Sequence, residues 1–220
     1  MFTGLVREIG TLVSRRDAGG VTRLEVRAPR SAPALGVGDS LAVNGICLTA
    51  TAVRGERVHL DAVAETRRVT TLDDWRPGRR LHLEPALRAG DALDGHLVQG
   101  HVDAVGVLRR AARADGQLRL TFAAPDLPDA WLLPKGSVAV DGVSLTLDAA
   151  PSAAGFTVSL IPHTLQWTVF GDLRPGDRVN VEGDVLAKGA AARAAAAAAG
   201  PSLTVPDILA RGFRRAGRRR

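Results

Sequence analysis

Val43-Asn44-Gly45-Ile46-Cys47-Leu48-Thr49 returns later in the same chain as Val140-Asp141-Gly142-Val143-Ser144-Leu145-Thr146. Working outward, Glu65-Thr66 through Arg76-Pro77-Gly78 to Glu84 returns as His163-Thr164 through Arg174-Pro175-Gly176 to Glu182. At the start of each copy, Gly4-Leu5-Val6 matches Gly100-His101-Val102. The offset widens from 96 (Gly4 to Gly100) to 97 (Asn44 to Asp141) to 98 (Glu84 to Glu182), as single insertions in loops would produce. A repeat of about a hundred residues has the size of a small domain. The division expected is residues 1–96 for the first domain and its connector, 97–186 for the second, and 187–220 for a C-terminal helical segment and basic tail.

Each copy is written in short alternating segments. Val21-Thr22-Arg23-Leu24-Glu25-Val26 and Gln117-Leu118-Arg119-Leu120-Thr121-Phe122 alternate apolar with polar, the period of a half-buried strand. Branched residues fill 40–51, 57–62, 137–147 and 156–161, and Gly19-Gly20, Pro77-Gly78, Asp115-Gly116 and Pro175-Gly176 mark turns. An all-β chain with such spacing is most simply a pair of small closed antiparallel barrels, because closure removes exposed edges. Ala187 to Ala199, rich in the best helix former, reads as a helix, and after Gly200-Pro201 a further short helical stretch over Ser202 to Phe213 precedes the arginine tail.

Composition narrows the partners. Six of the arginines lie in the last ten residues with no acid among them; against a net charge of +6, this leaves residues 1–210 summing to zero. Basic character belongs to a tail, and two neutral domains with 4% aromatic residues and no tyrosine offer few platforms for stacking nucleic acid. No apolar run approaches the ~20 residues of a membrane span, and no basic-then-apolar leader opens the chain, so a cytoplasmic protein is expected. The single cysteine, Cys47, can form neither an intramolecular disulfide nor a zinc cluster. Lys135 is one of two lysines among 29 basic residues, a compact point charge where the chain otherwise uses arginine.

No metal-ligand spacing, Walker loop, dinucleotide fingerprint or nucleophile elbow is present. What remains is polar residues at equivalent points of the two copies: Asn44, Cys47, Thr49, Glu65 and Thr66 in the first, His101, Lys135, Asp141, Ser144, Thr146, His163, Thr164 and Asp184 in the second. Singly, each has an ordinary explanation. Asn44-Gly45 and Asp141-Gly142 are hairpin turns, Cys47 a small buried thiol, the threonines strand residues, Lys135 a solvated loop charge.

Together they resemble a family. Met1-Phe2-Thr3-Gly4-Leu5-Val6, Asn44 to Thr49, Gly95-His96-Leu97-Val98-Gln99-Gly100-His101-Val102, Lys135-Gly136 with Asp141 to Thr146, and Ile161-Pro162-His163-Thr164-Leu165, in this order, closely resemble the riboflavin synthase family, alpha chain, built of lumazine-binding repeats. The resemblance covers residues 1–188 and implies two tandem six-stranded Greek-key barrels followed by a C-terminal helix, and a homotrimer tied together by those helices. It implies that two molecules of 6,7-dimethyl-8-ribityllumazine exchange a four-carbon unit to give riboflavin and 5-amino-6-ribitylaminouracil, without cofactor or metal, and it raises an association with lumazine synthase. The working pair of pockets would lie between subunits.

Residue by residue, the resemblance implies a first pocket of Gly4, Leu5, Val6, Cys47, Leu48, Thr49, Asp61, Ala62, Val63, Ala64, Glu65 and Thr66. The second would use Gly100, His101, Val102, Lys135, Ser144, Leu145, Thr146, Ser159, Leu160, Ile161, Pro162, His163 and Thr164. Imidazole exchanges protons near neutrality, so His101 is the expected base for the C7 methyl group. Ser144 and Asp184 would activate a nucleophile at C7, with Cys47 in the equivalent first-copy place. On this reading the second copy is the seat of proton transfer. A carrier of lumazine or flavin on the same fold is the alternative, marked by degeneration of one pocket; both are intact by motif. Two departures stand out: Gly183 replaces an apolar strand residue, and the alanine-rich helix lacks large side chains.

Overall fold

The computed structural model describes residues 1–114, 116–149, 151–152 and 155–198. The arginine tail and the stretch 202–213 lie outside the described residues.

The first copy folds into six strands, β1 (Glu8–Ala18), β2 (Val21–Arg27), β3 (Ser40–Val43), β4 (Ile46–Arg54), β5 (Arg57–Val63) and β6 (Arg80–Pro85). They close in the order β1-β2-β5-β4-β3-β6, every pair antiparallel, so that β5 returns beside β2 and β6 beside β1 and β3 in Greek-key fashion. The second copy repeats the plan with β7 (Ala104–Ala114), β8 (Gln117–Ala123), β9 (Ser137–Val140), β10 (Val143–Thr146), β11 (Phe156–Leu160) and β12 (Arg178–Gly183). Its ladder runs β10-β9-β12-β7-β8-β11, the same circular order cut between β10 and β11. Because β10 is short, a Leu147–Val158 bridge and the Asp148 amide on Thr157 O at 2.9 Å span the cut.

Between strands, α1 (Ala64–Val69) and α2 (Pro162–Gln166) occupy equivalent places. The hairpin joining β3 to β4 turns on Asn44 (φ 45°) and Gly45 (φ 76°), and that joining β9 to β10 on Asp141 (φ 43°) and Gly142 (φ 77°). Two successive positive φ values are the turn that matches strand twist, and Asn-Gly and Asp-Gly are the dipeptides that adopt it. Leu24, Leu41, Leu60 and Trp75 fill the first barrel, and Phe122, Phe156, Phe170 and Leu120 the second. The Trp75 indole N–H is satisfied by Thr71 Oγ1 at 3.1 Å.

A local two-fold axis relates the barrels. Phe2 and Val98 pair as an antiparallel bridge across it, and Phe2, Ala42, Val98 and Ala139 form a small apolar cluster there. The two turns meet so closely that a Cβ on Gly45 would stand 2.6 Å from Gly142 N, and one on Gly142 2.6 Å from Gly45 N. Around this contact lies a buried polar network in matched halves. Asn44 Oδ1 accepts from His82 N at 2.7 Å and Asp141 Oδ1 from Asn180 N at 2.8 Å, while Thr71 N donates to Asn180 Oδ1 and Val169 N to His82 Nε2.

The helix α3 (Val185–Ala198) docks on the second barrel through Lys188, whose ammonium bonds Asp103 at 2.8 Å and lies 5.6 Å over the Trp131 ring. Gly183 lies in the same neighbourhood, where a Cβ would make ordinary contact with Trp131 at 3.4 Å, so nothing in the structure requires glycine there. Ala187 alone of the helix is buried, and Leu186 is 69% exposed. Among the described residues no helix is long and apolar enough to cross a membrane.

Candidate functional site

The segments that open each copy do not lie on their own barrels. Gly4 O accepts from Ser144 N at 2.8 Å, and Gly100 O accepts from Cys47 N at 2.9 Å. Val6 packs against the core of the second barrel and Val102 against that of the first. A buried glutamate clamps each arm. Glu84 takes Thr3 N, Thr3 Oγ1 and Gly4 N at 2.7, 2.7 and 3.0 Å, and Glu182 takes the amides of Gln99, Gly100 and His101 at 2.7, 2.9 and 3.1 Å. Burial pushes both carboxyls above their usual range, against the pull of these bonds. Glycine is required at both crossings: a Cβ on Gly4 would stand 2.6 Å from Ser144 Cβ, and one on Gly100 2.6 Å from Cys47 Cβ.

The expected grouping is therefore exchanged. Gly4, Leu5 and Val6 join Ser144 and the second barrel, while Gly100, His101 and Val102 join Cys47 and the first. His101, written in the second copy, follows the glycine that crosses onto the first barrel at Cys47, so the residue expected to move the proton belongs to one copy by sequence and to the other barrel by position.

A cavity of about 310 Å³ marks the second-barrel half. Its walls are Gly4 to Arg7 of the arm with Val143, Ser144, His163, Thr164, Trp167 and Thr168, and Arg30 stands at the rim with its guanidinium 5.2 Å over the Trp167 ring. Pockets fall on the outer faces of the barrels because of strand alternation. Cys47, Thr49, Asp61 and Val63 point outward, as do Ser144, Thr146, Ser159 and Ile161, whereas Leu48, Ala62, Leu145 and Leu160 are buried in the cores and offer a ligand only backbone. The carbonyls of Thr66 and Thr164 are taken by the hydroxyls of Thr70 and Thr168, at 2.6 and 2.8 Å. Ala64 and Pro162 begin α1 and α2, and Glu65, next in α1, is ion-paired with Arg68.

Lys135, Thr146, Ser159 and Asp184 lie outside the cavity's lining. Lys135 is exposed in a turn at φ 60°, where the first copy has Gly38 at φ 93°. Ser159 Oγ donates to Asp148 at 2.9 Å, and Asp184 Oδ1 caps the amide of Leu186 at 2.9 Å.

The most reactive pairing was not legible. His96, in the connector, places Nδ1 2.7 Å from Ser144 Oγ, while its Nε2 is buried with no partner among the described residues. Burial holds His96 below the usual histidine range, opposed by the nearby Asp184 charge. A neutral imidazole against a hydroxyl can accept its proton. Only the sequence proximity of His96 to the arm hinted at this. Among the described residues no three His, Cys, Asp or Glu side chains converge as a metal site.

The lumazine binding domain model matches the chain twice, at residues 3–86 and 99–184. Riboflavin synthase of Mycobacterium tuberculosis (strain CDC 1551 / Oshkosh) is 40% identical over 191 residues, covering 86% of this chain and 95% of that protein. Riboflavin synthase of Bacillus subtilis (strain 168) is 36% identical over 188 residues, covering 86% and 87%. Among solved structures, LumP complexed with 6,7-dimethyl-8-(1'-D-ribityl) lumazine superimposes with a TM-score of 0.73 at 22% identity, over 83% of this chain and 98% of that one. LumP complexed with riboflavin gives 0.74 at 23% identity, over 83% and 99%, a likeness of fold. With two matched repeats and relatives of this identity over most of its length, the chain belongs to the lumazine-binding family of riboflavin synthases.

Proposed function

We propose that the protein is a riboflavin synthase, converting two molecules of 6,7-dimethyl-8-ribityllumazine by four-carbon transfer into riboflavin and 5-amino-6-ribitylaminouracil. The observation that carries this is the reciprocal crossing of the arms, Gly4 onto Ser144 of the second barrel and Gly100 onto Cys47 of the first, which builds like surfaces on the two outer barrel faces. Donor and acceptor are the same molecule, so like pockets are what the chemistry needs, and holding both reactants aligned removes about 7–11 kcal/mol from a bimolecular barrier at the effective molarities of well-oriented reactions.

The pockets differ where the two roles diverge. In the second-barrel pocket Ser144, with His96 taking its proton, adds to C7 of one lumazine and prepares it to give up its four carbons. Beside Cys47, His101 removes the proton from the C7 methyl group of the other, whose ring delocalises the charge. Both pockets open on outer faces, so the productive pair forms between the first barrel of one subunit and the second barrel of a neighbour in a homotrimer. Lys135 and Asp184 act from the edge of the second pocket, and a lumazine synthase assembly is a natural neighbour because it supplies the substrate.

A carrier of lumazine or flavin is the second reading, favoured by the fold shared with ligand-bound LumP. Incubating the purified chain with the lumazine as sole organic substrate separates them. Riboflavin accumulating with one 5-amino-6-ribitylaminouracil for each molecule supports the enzyme; tight binding with no riboflavin supports the carrier.

A further inference from the structure

The short helices that follow the fifth strand of each copy, α1 and α2, are seated by opposite chemistry. In the first copy, Arg15 and Asp17 of β1 meet Arg67 of α1 and Asp73 of the turn Thr71–Asp74. Arg15 Nη2 lies 2.6 Å from Asp73 Oδ1 and 3.1 Å from Asp17 Oδ2, while Arg67 Nε lies 2.8 Å from Asp73 Oδ1 and its Nη1 3.7 Å from Asp17 Oδ1. Two cations and two anions thus form a closed box. Thr22, fully buried on β2, adds its hydroxyl to Asp17 at 2.6 Å.

The second copy has no such box. By the offsets of 96 and 98 that relate the copies, Arg15, Asp17 and Thr22 correspond to Ala111, Arg113 and Leu118, and Arg67 and Asp73 to Leu165 and Gly171. The strand register agrees, since Arg15 faces Leu24 and Asp17 faces Thr22 as Ala111 faces Leu120 and Arg113 faces Leu118. Leu118 is in the second barrel's apolar core and Leu165 packs against it, so burial of leucine seats α2. The ionic seat is the less complete of the two: Arg15 has only 14% of its side chain exposed, and its buried Nε has no partner among the described residues.

Both helices carry pocket wall. α2 places His163 and Thr164 in the second-barrel cavity, and their counterparts on α1 are Glu65 and Thr66. Resting on the reading of both pockets as lumazine sites, we infer that Arg15, Asp17, Arg67 and Asp73 are positioning residues of the first-barrel pocket alone, holding α1 where leucine packing holds α2. An exposed ion pair by itself contributes little, whereas charges that share partners in a network contribute more. Salt shortens the reach of such charges, from about 10 Å at 0.1 M to about 3 Å at 1 M, and does not weaken the burial of leucine. Salt therefore loosens the first wall and spares the second.

The test measures binding of 6,7-dimethyl-8-ribityllumazine to the full chain by rapid mixing, with ligand fluorescence read before turnover and two affinities extracted. Raising sodium chloride from about 0.1 to about 1 M should weaken one affinity roughly threefold and leave the other. Asp73→Gly, which gives the first copy the residue of the second, should weaken that same affinity about threefold to tenfold and remove most of its salt dependence. Asp73→Glu, which keeps the carboxylate, should retain both the affinity and its response to salt. The affected affinity should be the one that survives in Gly4→Val, where the added side chain meets Ser144 and only the first-barrel pocket stays open. Arg57→Gln breaks an equally short pair with Glu25 at the opposite end of β5 from α1 and should move neither affinity. A wild-type chain whose two affinities respond alike to salt overturns the inference, independently of any variant. So does an Asp73→Gly chain in which both affinities fall or neither moves, an equal loss in Arg57→Gln, or an effect on the site that Gly100→Val retains. Selective weakening in a chain that forms no riboflavin sinks the enzyme reading and leaves this one standing; a wild-type chain that binds no lumazine sinks both.

Discussion

At the meeting point of the barrels, Asn44 and Asp141 occupy equivalent turns, and the difference between them has a pH signature. His82 Nε2 accepts from Val169 N, so its proton is on Nδ1, which donates to Asp141 O at 3.0 Å. Burial presses His82 down to about 4 and lifts Asp141 to about 7. The two slopes oppose each other. Below pH 6.5 the unfolded chain protonates His82 while the folded one resists, so stability falls with pH toward 4; the folded Asp141 keeps its proton up to pH 7, so stability falls as pH rises from 4 to 7. Asp141→Asn copies the neutral form and the first copy's own solution. It should raise stability at pH 8 by on the order of 2 kcal/mol and leave only the His82 slope, measured by denaturant unfolding from pH 4 to 8. Lys135 is the other informative residue. Its left-handed backbone costs about 1 kcal/mol, which Lys135→Gly should return as stability while weakening lumazine binding, a split visible by comparing thermal unfolding with ligand titration. Scarcity of lysine singled this residue out in the sequence; its strain could not be read there.

Among the elements, the arms matter most. A short segment preceding each barrel is held by one glutamate taking three hydrogen bonds, and it carries His101 or Leu5 to the opposite barrel. Glu182→Gln replaces one acceptor oxygen by a donor and leaves buried amides unmet. It should cost about 1–3 kcal/mol of stability and impair the first-barrel pocket, seen as loss of one of two bound lumazines by calorimetry. Strands, turns and the repeat itself were legible because alternation and Asn-Gly or Asp-Gly turns are local. The exchange was not, since the offset between copies is identical whether an arm covers its own barrel or the other. Gly4 and Gly100 were visible as equivalents, but the side chains they approach, Ser144 and Cys47, are set by tertiary contact. His96 escaped for the same reason, its partner being 48 residues away across the axis.

For the whole molecule, the proposed sharing of the reaction between subunits would tie activity to assembly. The described part of α3 buries little, with Leu186 exposed, so specific activity should fall on dilution as assemblies dissociate, a loss readable in turnover against protein concentration. The central claim is that both half-sites are needed and that each is completed by the opposite arm. Gly4→Val fills the second-barrel crossing against Ser144, and Gly100→Val fills the first-barrel crossing against Cys47. Each variant alone should still bind one lumazine, showing that it is folded, and should form no riboflavin. Co-expressed, they should regain roughly a quarter of wild-type turnover, because random assembly pairs an intact first barrel with an intact second barrel of a neighbour in one case out of four. Turnover by either variant alone, or none from the mixed assemblies, would contradict the account.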